Sequence, residues 1–199
     1  MKQLEHYFTS NENLKSELRN FKYNFESFTL DFTSDNGVFS KDKIDFGSRL
    51  LVETILSSDI HPHNILDVGC GYGYMGITLS KILNTHVDMI DVNKRAIHLS
   101  EMNINNNKVD ANAFLSNIYE NVTNKYDLIV TNPPIRAGKE VVYKILLEAK
   151  NHLNKDGELW FVIRKDQGAK SAINDLKSTY LIEIIQKSKG FYVIKAKND

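Results

Sequence analysis

Short apolar runs alternate with amphipathic stretches from residue 64 onward, and only Lys187-Ser188-Lys189-Gly190 separates the last two runs. The runs are Asn64–Val68, His86–Asp91, Asn112–Leu115, Asp127–Thr131, Glu158–Arg164, Tyr180–Gln186 and Phe191–Ala196. Stretches near 75–83, 94–106, 139–152 and 168–177 carry apolar residues at helical spacing. This alternation predicts a parallel sheet with helices on both faces. Four residues cannot make a parallel crossover, so the last two runs must pair antiparallel. The expected fold class is α/β, a doubly wound seven-stranded sheet, mostly parallel, with a reversed C-terminal strand.

Ahead of this core, residues 1–60 read as a small extension. Phe21, Tyr23 and Phe25 alternate with polar residues, and Phe28, Leu30 and Phe32 do so again after Glu26-Ser27, which predicts a β-hairpin. Asn36-Gly37 marks a turn. A helix is expected from Asp45, with Phe46, Leu50, Leu51, Thr54 and Ile55 on one face. A chain of 199 residues without a Pro/Gly/Ser linker is expected to form a single domain over 1–199, the extension at 1–60 and the core at 61–199. The Asn103-Ile104-Asn105-Asn106-Asn107-Lys108 run reads as the fraying end of a helix.

With 25 basic and 25 acidic residues the chain is neutral, but residues 132–199 hold 13 basic against 8 acidic. A basic C-terminal third suits a polyanionic partner, although a solvated lysine-rich surface gives the same count. No apolar run reaches the ~18 residues of a membrane helix. MKQLEHYFTS has no apolar stretch behind its basic residue, so a cytoplasmic protein is expected. One cysteine, Cys70, excludes an intramolecular disulfide or a cysteine-cluster metal site, and the histidines show no metal spacing. No metal is expected.

The segment Ile65-Leu66-Asp67-Val68-Gly69-Cys70-Gly71-Tyr72-Gly73-Tyr74-Met75-Gly76 is strand, glycine-rich turn, then helix. Glycines there let a backbone approach a ligand at a helix N-terminus. Asp91 follows Gly71 by 20 residues, where an acid accepts hydrogen bonds from ribose hydroxyls. That spacing fits a dinucleotide, but Asp67 at the strand end would repel a pyrophosphate. A carboxylate there suits the ammonium and sulfonium groups of S-adenosylmethionine. Cys70 reads as a small loop filler.

Thr131-Asn132-Pro133-Pro134-Ile135 follows the run ending at Val130, so its loop opens on the same crevice, beyond the carboxyl ends of the strands. Paired prolines give a rigid loop without N–H donors, and Asn132 adds an amide acceptor. Such a site can hold an –NH₂ by both hydrogens.

These motifs resemble those of class I S-adenosylmethionine-dependent methyltransferases of the small-methyltransferase group. Within it they are similar to the 16S rRNA (guanine-N2)-methyltransferases of the small-subunit methyltransferase C type. Asp35-Asn36-Gly37-Val38-Phe39-Ser40, Asp45-Phe46-Gly47-Ser48-Arg49-Leu50-Leu51, the glycine loop, Asp91-Val92-Asn93 and Asn132-Pro133-Pro134-Ile135 carry the resemblance. It implies a Rossmann-like fold and S-adenosylmethionine as cofactor, contacted by Asp67, Gly69, Gly71, Gly73, Asp91 and Val92, with Asn117 and Ile118 flanking the adenine. It makes Asn132, Pro133 and Pro134 the catalytic loop, with Asn132 and the Pro133 carbonyl on the target nitrogen. The implied partner is ribosomal RNA or a ribosomal subunit; the oligomeric state stays open, with a monomer favoured.

Two positions depart from that pattern. Tyr74 stands where relatives often have Pro, and Ile135 where many amino-methyltransferases have an aromatic to stack on the substrate. Phe39 is the candidate to stack instead, or else a core residue of the hairpin. Arg136 and Lys139, with Lys144, Arg164 and Lys165, are candidate phosphate contacts, though each alone reads as well as a surface charge. Transfer needs alignment rather than a general base. Other acceptors stay open: a different rRNA guanine, or the glutamine amide of release factors, whose methyltransferases follow Asn-Pro-Pro with Tyr. A non-catalytic module binding cofactor or RNA is the reading from another class.

Overall fold

The computed structural model describes residues 14–198, so the leader reading at the N-terminus lies outside the described residues. Strands β1 (Arg19–Phe25) and β2 (Phe28–Ser34) pair antiparallel as a separate two-stranded sheet. Helix α1 (Phe46–Leu56) follows, then β3 (Asn64–Val68), α2 (Tyr74–Leu83), β4 (His86–Asp91), α3 (Lys94–Asn107), β5 (Ala111–Leu115) and β6 (Tyr126–Thr131). The chain continues with α4 (Lys139–Glu148), β7 (Leu153–Arg164), α5 (Ala169–Leu176), β8 (Tyr180–Ser188) and β9 (Phe191–Asn198). The main sheet has seven strands in the order β5-β4-β3-β6-β7-β9-β8. All neighbours are parallel except at β9, which runs against both β7 and β8. This is the Rossmann-like α/β fold the alternation predicts.

Successive strand residues face opposite sides. Ile65, Leu128, Val130, Trp160 and Val162 enter a core under α1, α2 and α3. Leu66, Ile129, Leu159 and Phe161 enter a second core under α4 and α5. The hairpin belongs to the first of these, because Leu30 is buried in it and Phe32 packs against Tyr72 and Tyr74. Burying each such side chain is worth about 1.5–3 kcal/mol.

Strands β5, β6 and β9 differ from expectation by one or two residues, and three other boundaries differ for a structural reason. Helix α4 stops at Glu148 and gives way to a 3₁₀ turn over Ala149–His152. Strand β7 begins at Leu153 rather than Glu158, with an irregularity where Asp156 takes φ +67 and Gly157 sits against the Tyr126 carbonyl. The β8–β9 link is two residues, Lys189-Gly190, at φ +46 and +80. Both central residues at positive φ match the strand twist, which shortens the turn.

The asparagine run does not fray. Asn107 ends α3, and Asn103 and Asn107 are buried. Asn103 accepts from Thr33 N (2.8 Å) and donates to Thr33 O (2.9 Å). Asn107 repeats the exchange with Asp31 N (2.9 Å) and O (2.8 Å). Alternate strand residues lie ~6.6 Å apart and i,i+4 helix residues ~6 Å, so two amides on one helix face extend the edge of β2 as a further strand would. No described helix is long and apolar enough to cross a membrane.

Candidate functional site

Strands β3, β4 and β6 end at one rim, and three loops rise from it. The first runs from Gly69 to Gly73. Gly69 and Gly71 adopt φ +77 and +59, and a Cβ on either would meet nothing within 4 Å. A side chain there would project into the crevice, so these glycines keep a ligand path open. The loop is tied down from outside: Gly69 and Cys70 N–H donate to Ile90 O, and Ser100 Oγ donates to Gly71 O (3.0 Å). Gly73 caps the start of α2 at φ +91, a left-handed conformation that favours glycine. Cys70 is buried 3.6 Å from Ser100 Oγ, and burial pushes its thiol pKa up.

Asp67 is fully buried. Its Oδ2 accepts the Gly76 N–H at the start of α2 (2.9 Å), while Oδ1 has no partner among the described residues. Burial raises its pKa to about 7, the Gly76 bond opposes this, and the negative charge of Asp91 adds to it. A buried carboxylate oxygen without a donor is costly, and a cation placed against it removes that cost. Asp91 is half-buried and its pKa is likewise raised by burial. It spans two loops, accepting from Gly71 N (3.0 Å) through one oxygen and from Asn93 N (2.9 Å) through the other. Each oxygen keeps a second lone pair for a ligand hydroxyl.

Beside Asp91 lies a narrow groove of about 20 Å³ lined by Val92, Ser116, Ile118, Val141 and Ile145. Ile118 takes φ +55, unusual for a β-branched residue. Its carbonyl is held by Ser116 Oγ (2.8 Å). Strain of this kind costs about 1–3 kcal/mol and collects at ligand sites. Asn117 does not line the groove; its amide donates to Glu120 (2.7 Å). The orphaned Asp67 oxygen, the paired acceptors of Asp91 and the open glycines fit a ligand with a cationic end and a ribose. The residues present therefore suit S-adenosylmethionine.

The third loop starts at Thr131, whose buried hydroxyl donates to Val68 O (2.8 Å) and joins the β6 end to the β3 end. Asn132 then donates through Nδ2 to Asp45 Oδ2 (3.0 Å) and Ser48 Oγ (2.9 Å). A carboxylate only accepts, so the amide must turn its NH₂ edge to Asp45 and its oxygen the other way. Asp45 is itself fixed as the N-cap of α1, accepting from Ser48 N (2.9 Å). Pro134 O accepts from Ala137 N (2.9 Å), so Pro134 stiffens a 3₁₀ turn over Ile135–Ala137.

The candidate substrate residues scatter around this loop. Phe39 is 67% exposed, which excludes the core alternative. Ile135 and Lys139 line a cavity of about 270 Å³ between α4 and α5. Lys139 lies 4.6 Å over the Tyr143 ring and 3.8 Å from Asp175, and Arg136 is exposed. Sequence reasoning assigned no site role to Asp45, Ser48, Thr131 or Ser100. Asp45-x-x-Ser48 is legible as a helix cap, but nothing local ties it to Asn132.

Residues 29–195 match the family model of the methyltransferase small domain. An uncharacterized protein, YbxB of Bacillus subtilis (strain 168), is 43% identical over 198 residues, covering 97% of this chain and 98% of that one. Ribosomal RNA small subunit methyltransferase C of Aliivibrio salmonicida is 34% identical over 156 residues, 75% of this chain and 45% of that protein. The chain thus spans about half the length of the methyltransferase C relatives it matches. Among solved structures, T. thermophilus 16S rRNA N2 methyltransferase (RsmC), in complex with AdoMet and guanosine, superposes with a TM-score of 0.83 at 22% identity, over 94% of this chain and 52% of that one. At that identity the match speaks to the fold.

Proposed function

Because this chain belongs to the methyltransferase small-domain family, we propose that it transfers a methyl group from S-adenosylmethionine to an exocyclic amino nitrogen, guanine N2 of 16S ribosomal RNA, in the cytoplasm. The observation that carries the acceptor chemistry is the clamped amide of Asn132. Its NH₂ edge is occupied by Asp45 and Ser48, so it offers incoming substrate an acceptor, beside the acceptor carbonyl of Pro133. Two acceptors take the two hydrogens of an –NH₂ group and have nothing to give a hydroxyl oxygen or a ring nitrogen.

When bound, S-adenosylmethionine supplies a methyl group already activated by its sulfonium. The protein contributes alignment, an effect worth up to ~7–11 kcal/mol. Guanine N2 is a weak nucleophile because its lone pair is delocalised into the ring. Hydrogen bonds to Asn132 Oδ1 and the Pro133 carbonyl favour a pyramidal nitrogen and stabilise the positive charge that develops on it. The Asp45 carboxylate behind the Asn132 NH₂ polarises the amide in the useful direction, toward a more negative oxygen. Asp67 receives the cationic end of the cofactor, Asp91 the ribose hydroxyls, and Val92 and Ile118 the adenine. Gly69, Gly71 and Gly73 keep the backbone close, and Arg136 and Lys139 meet the RNA, with Phe39 exposed nearby in sequence to the clamp.

The test is transfer of labelled methyl to 30S subunits, 50S subunits and release factor in parallel, with nuclease digestion of the product. N2-methylguanosine from 30S alone supports the proposal. Label in 50S moves the target to another rRNA, and label in protein overturns the RNA assignment.

A further inference from the structure

Phe46 and Phe191, from distant parts of the chain, meet one residue away from the Asn132 clamp. Phe46 opens α1 immediately after Asp45, and Phe191 opens β9. Their ring centroids are 5.5 Å apart at 54°. Three cations gather on this pair. Lys189 Nζ lies 4.9 Å from the Phe46 centroid, the Arg49 guanidinium 5.8 Å from the same ring, and the Arg164 guanidinium 5.5 Å from Phe191. All three cations are exposed and both rings are half-buried. Arg164 has Asp166 at 2.9 Å and Arg49 has Glu53 at 3.9 Å, solvent-exposed pairs that a phosphate can replace at little cost.

The backbone is shaped to make this cluster. Gly47 stands in the first turn of α1 despite glycine's poor helix propensity, because a Cβ there would lie 2.9 Å from the Phe191 ring. Lys189 reaches Phe46 from a turn in which it holds φ +46, and Lys165 N–H pins that turn to the end of β7 through Gly190 O (2.8 Å). Ile135 offers no aromatic face beside the catalytic loop, so a base near it must find one elsewhere. A target base must also leave its stack to reach Asn132, which removes one stacking partner from its neighbour and is least costly in single-stranded RNA.

We propose that the Phe46–Phe191 pair with Arg49, Arg164 and Lys189 is the docking surface for the single-stranded RNA flanking the target nucleotide. The cations contact its phosphates and the rings support an unstacked neighbouring base. Cations interleaved with aromatic faces are the pattern by which proteins hold single strands. The choice of RNA rests on the reading above, but the binding itself is measurable without turnover.

The test uses the full chain, a fluorescein-labelled single-stranded RNA oligonucleotide and anisotropy titrations over a range of salt concentrations. Cofactor affinity measured on each variant reports an intact fold. The triple variant Arg49→Ala, Arg164→Ala, Lys189→Ala should lower the slope of log Kd against log salt by about 2, at about 0.7 per lost phosphate contact. Phe191→Leu should weaken binding about tenfold with the slope unchanged. Unaltered affinity and slope in the triple variant overturn the surface. RNA that binds here without being methylated refutes the guanine reading alone. RNA that is methylated while the triple variant binds it normally refutes the surface alone.

Discussion

Around the glycine loop, the bonds that shape the crevice are short in sequence: Gly76 to Asp67 spans 9 residues, Gly71 to Asp91 20, and Ser100 to Gly71 29. Around Asn132 they reach back 87 residues to Asp45 and 84 to Ser48. The cofactor side is built largely from backbone amides of adjoining loops, whereas the acceptor side depends on two side chains delivered by the N-terminal extension. A crevice assembled in this way separates binding from turnover. Disturbing the Asp45–Ser48 clamp should impair transfer while leaving cofactor affinity nearly intact.

The largest effect that tests this separation is expected from Asn132→Ala. Turnover should fall about 10²–10³-fold, the usual cost of removing one group that stabilises developing charge, with cofactor Kd unchanged by calorimetry. Equal losses in both would merge the two sides into one unit. Asp67→Asn should do the reverse, weakening S-adenosylmethionine by roughly 2 kcal/mol, or about thirtyfold in Kd. The pH dependence sharpens that assignment. Burial pushes the Asp67 carboxyl up to about 7 in the fold from 3.8, so this group's contribution to stability is full below the lower value and is lost as pH rises toward 7. A cationic ligand favours the ionised form, so cofactor affinity should rise with pH across that interval. The rise should vanish in Asp67→Asn, and its persistence there would show that another group carries it.

Asn107→Ala leaves the Asp31 N–H and C=O without their partners and should cost about 1–2 kcal/mol of stability, read as a lowered Tm. Because the β1–β2 hairpin also packs on Tyr72 of the glycine loop, cofactor affinity should fall together with turnover in this variant. The smallest effect belongs to Ser48→Ala. One of the two bonds to the Asn132 amide goes while the carboxylate of Asp45 still sets its orientation. The loss of about 1 kcal/mol should appear as roughly a fivefold drop in kcat. A change in KM without one in kcat would instead place Ser48 in substrate binding.

The same contrast explains what could be read from the chain beforehand. Strand, glycine turn, helix and distal acid form a contiguous pattern, and the physics that makes it a ligand loop operates within a few residues. Asn132-Pro133-Pro134 was equally legible, because rigidity and missing donors are properties of the residues themselves. The clamp was not. Asp45 reads as an ordinary helix cap until the fold brings it against Asn132, and its double use follows only from tertiary placement. Asn103 and Asn107 misled for a related reason. Asparagine is a poor interior helix residue, so a run of it signals fraying, and only the edge of β2 turns those amides into buried, fully paired groups. The two-residue β8–β9 turn was missed because lysine rarely takes positive φ.

The position of β9 has a consequence for how the molecule is made. Residues 191–198 lie inside the sheet, between β7 and β8, and β8 touches no other strand of it. While the chain emerges from the ribosome, β3 to β6 can pair as they appear, but β8 must wait unpaired until β9 slides in beside it. The edge of β7 stays open for the same interval, so synthesis passes through a stage with two unsatisfied strand edges, the kind of surface that recruits chaperones or aggregates. Pausing translation before residue 191 should therefore trap a species with its cofactor loops formed and its C-terminal flank still open.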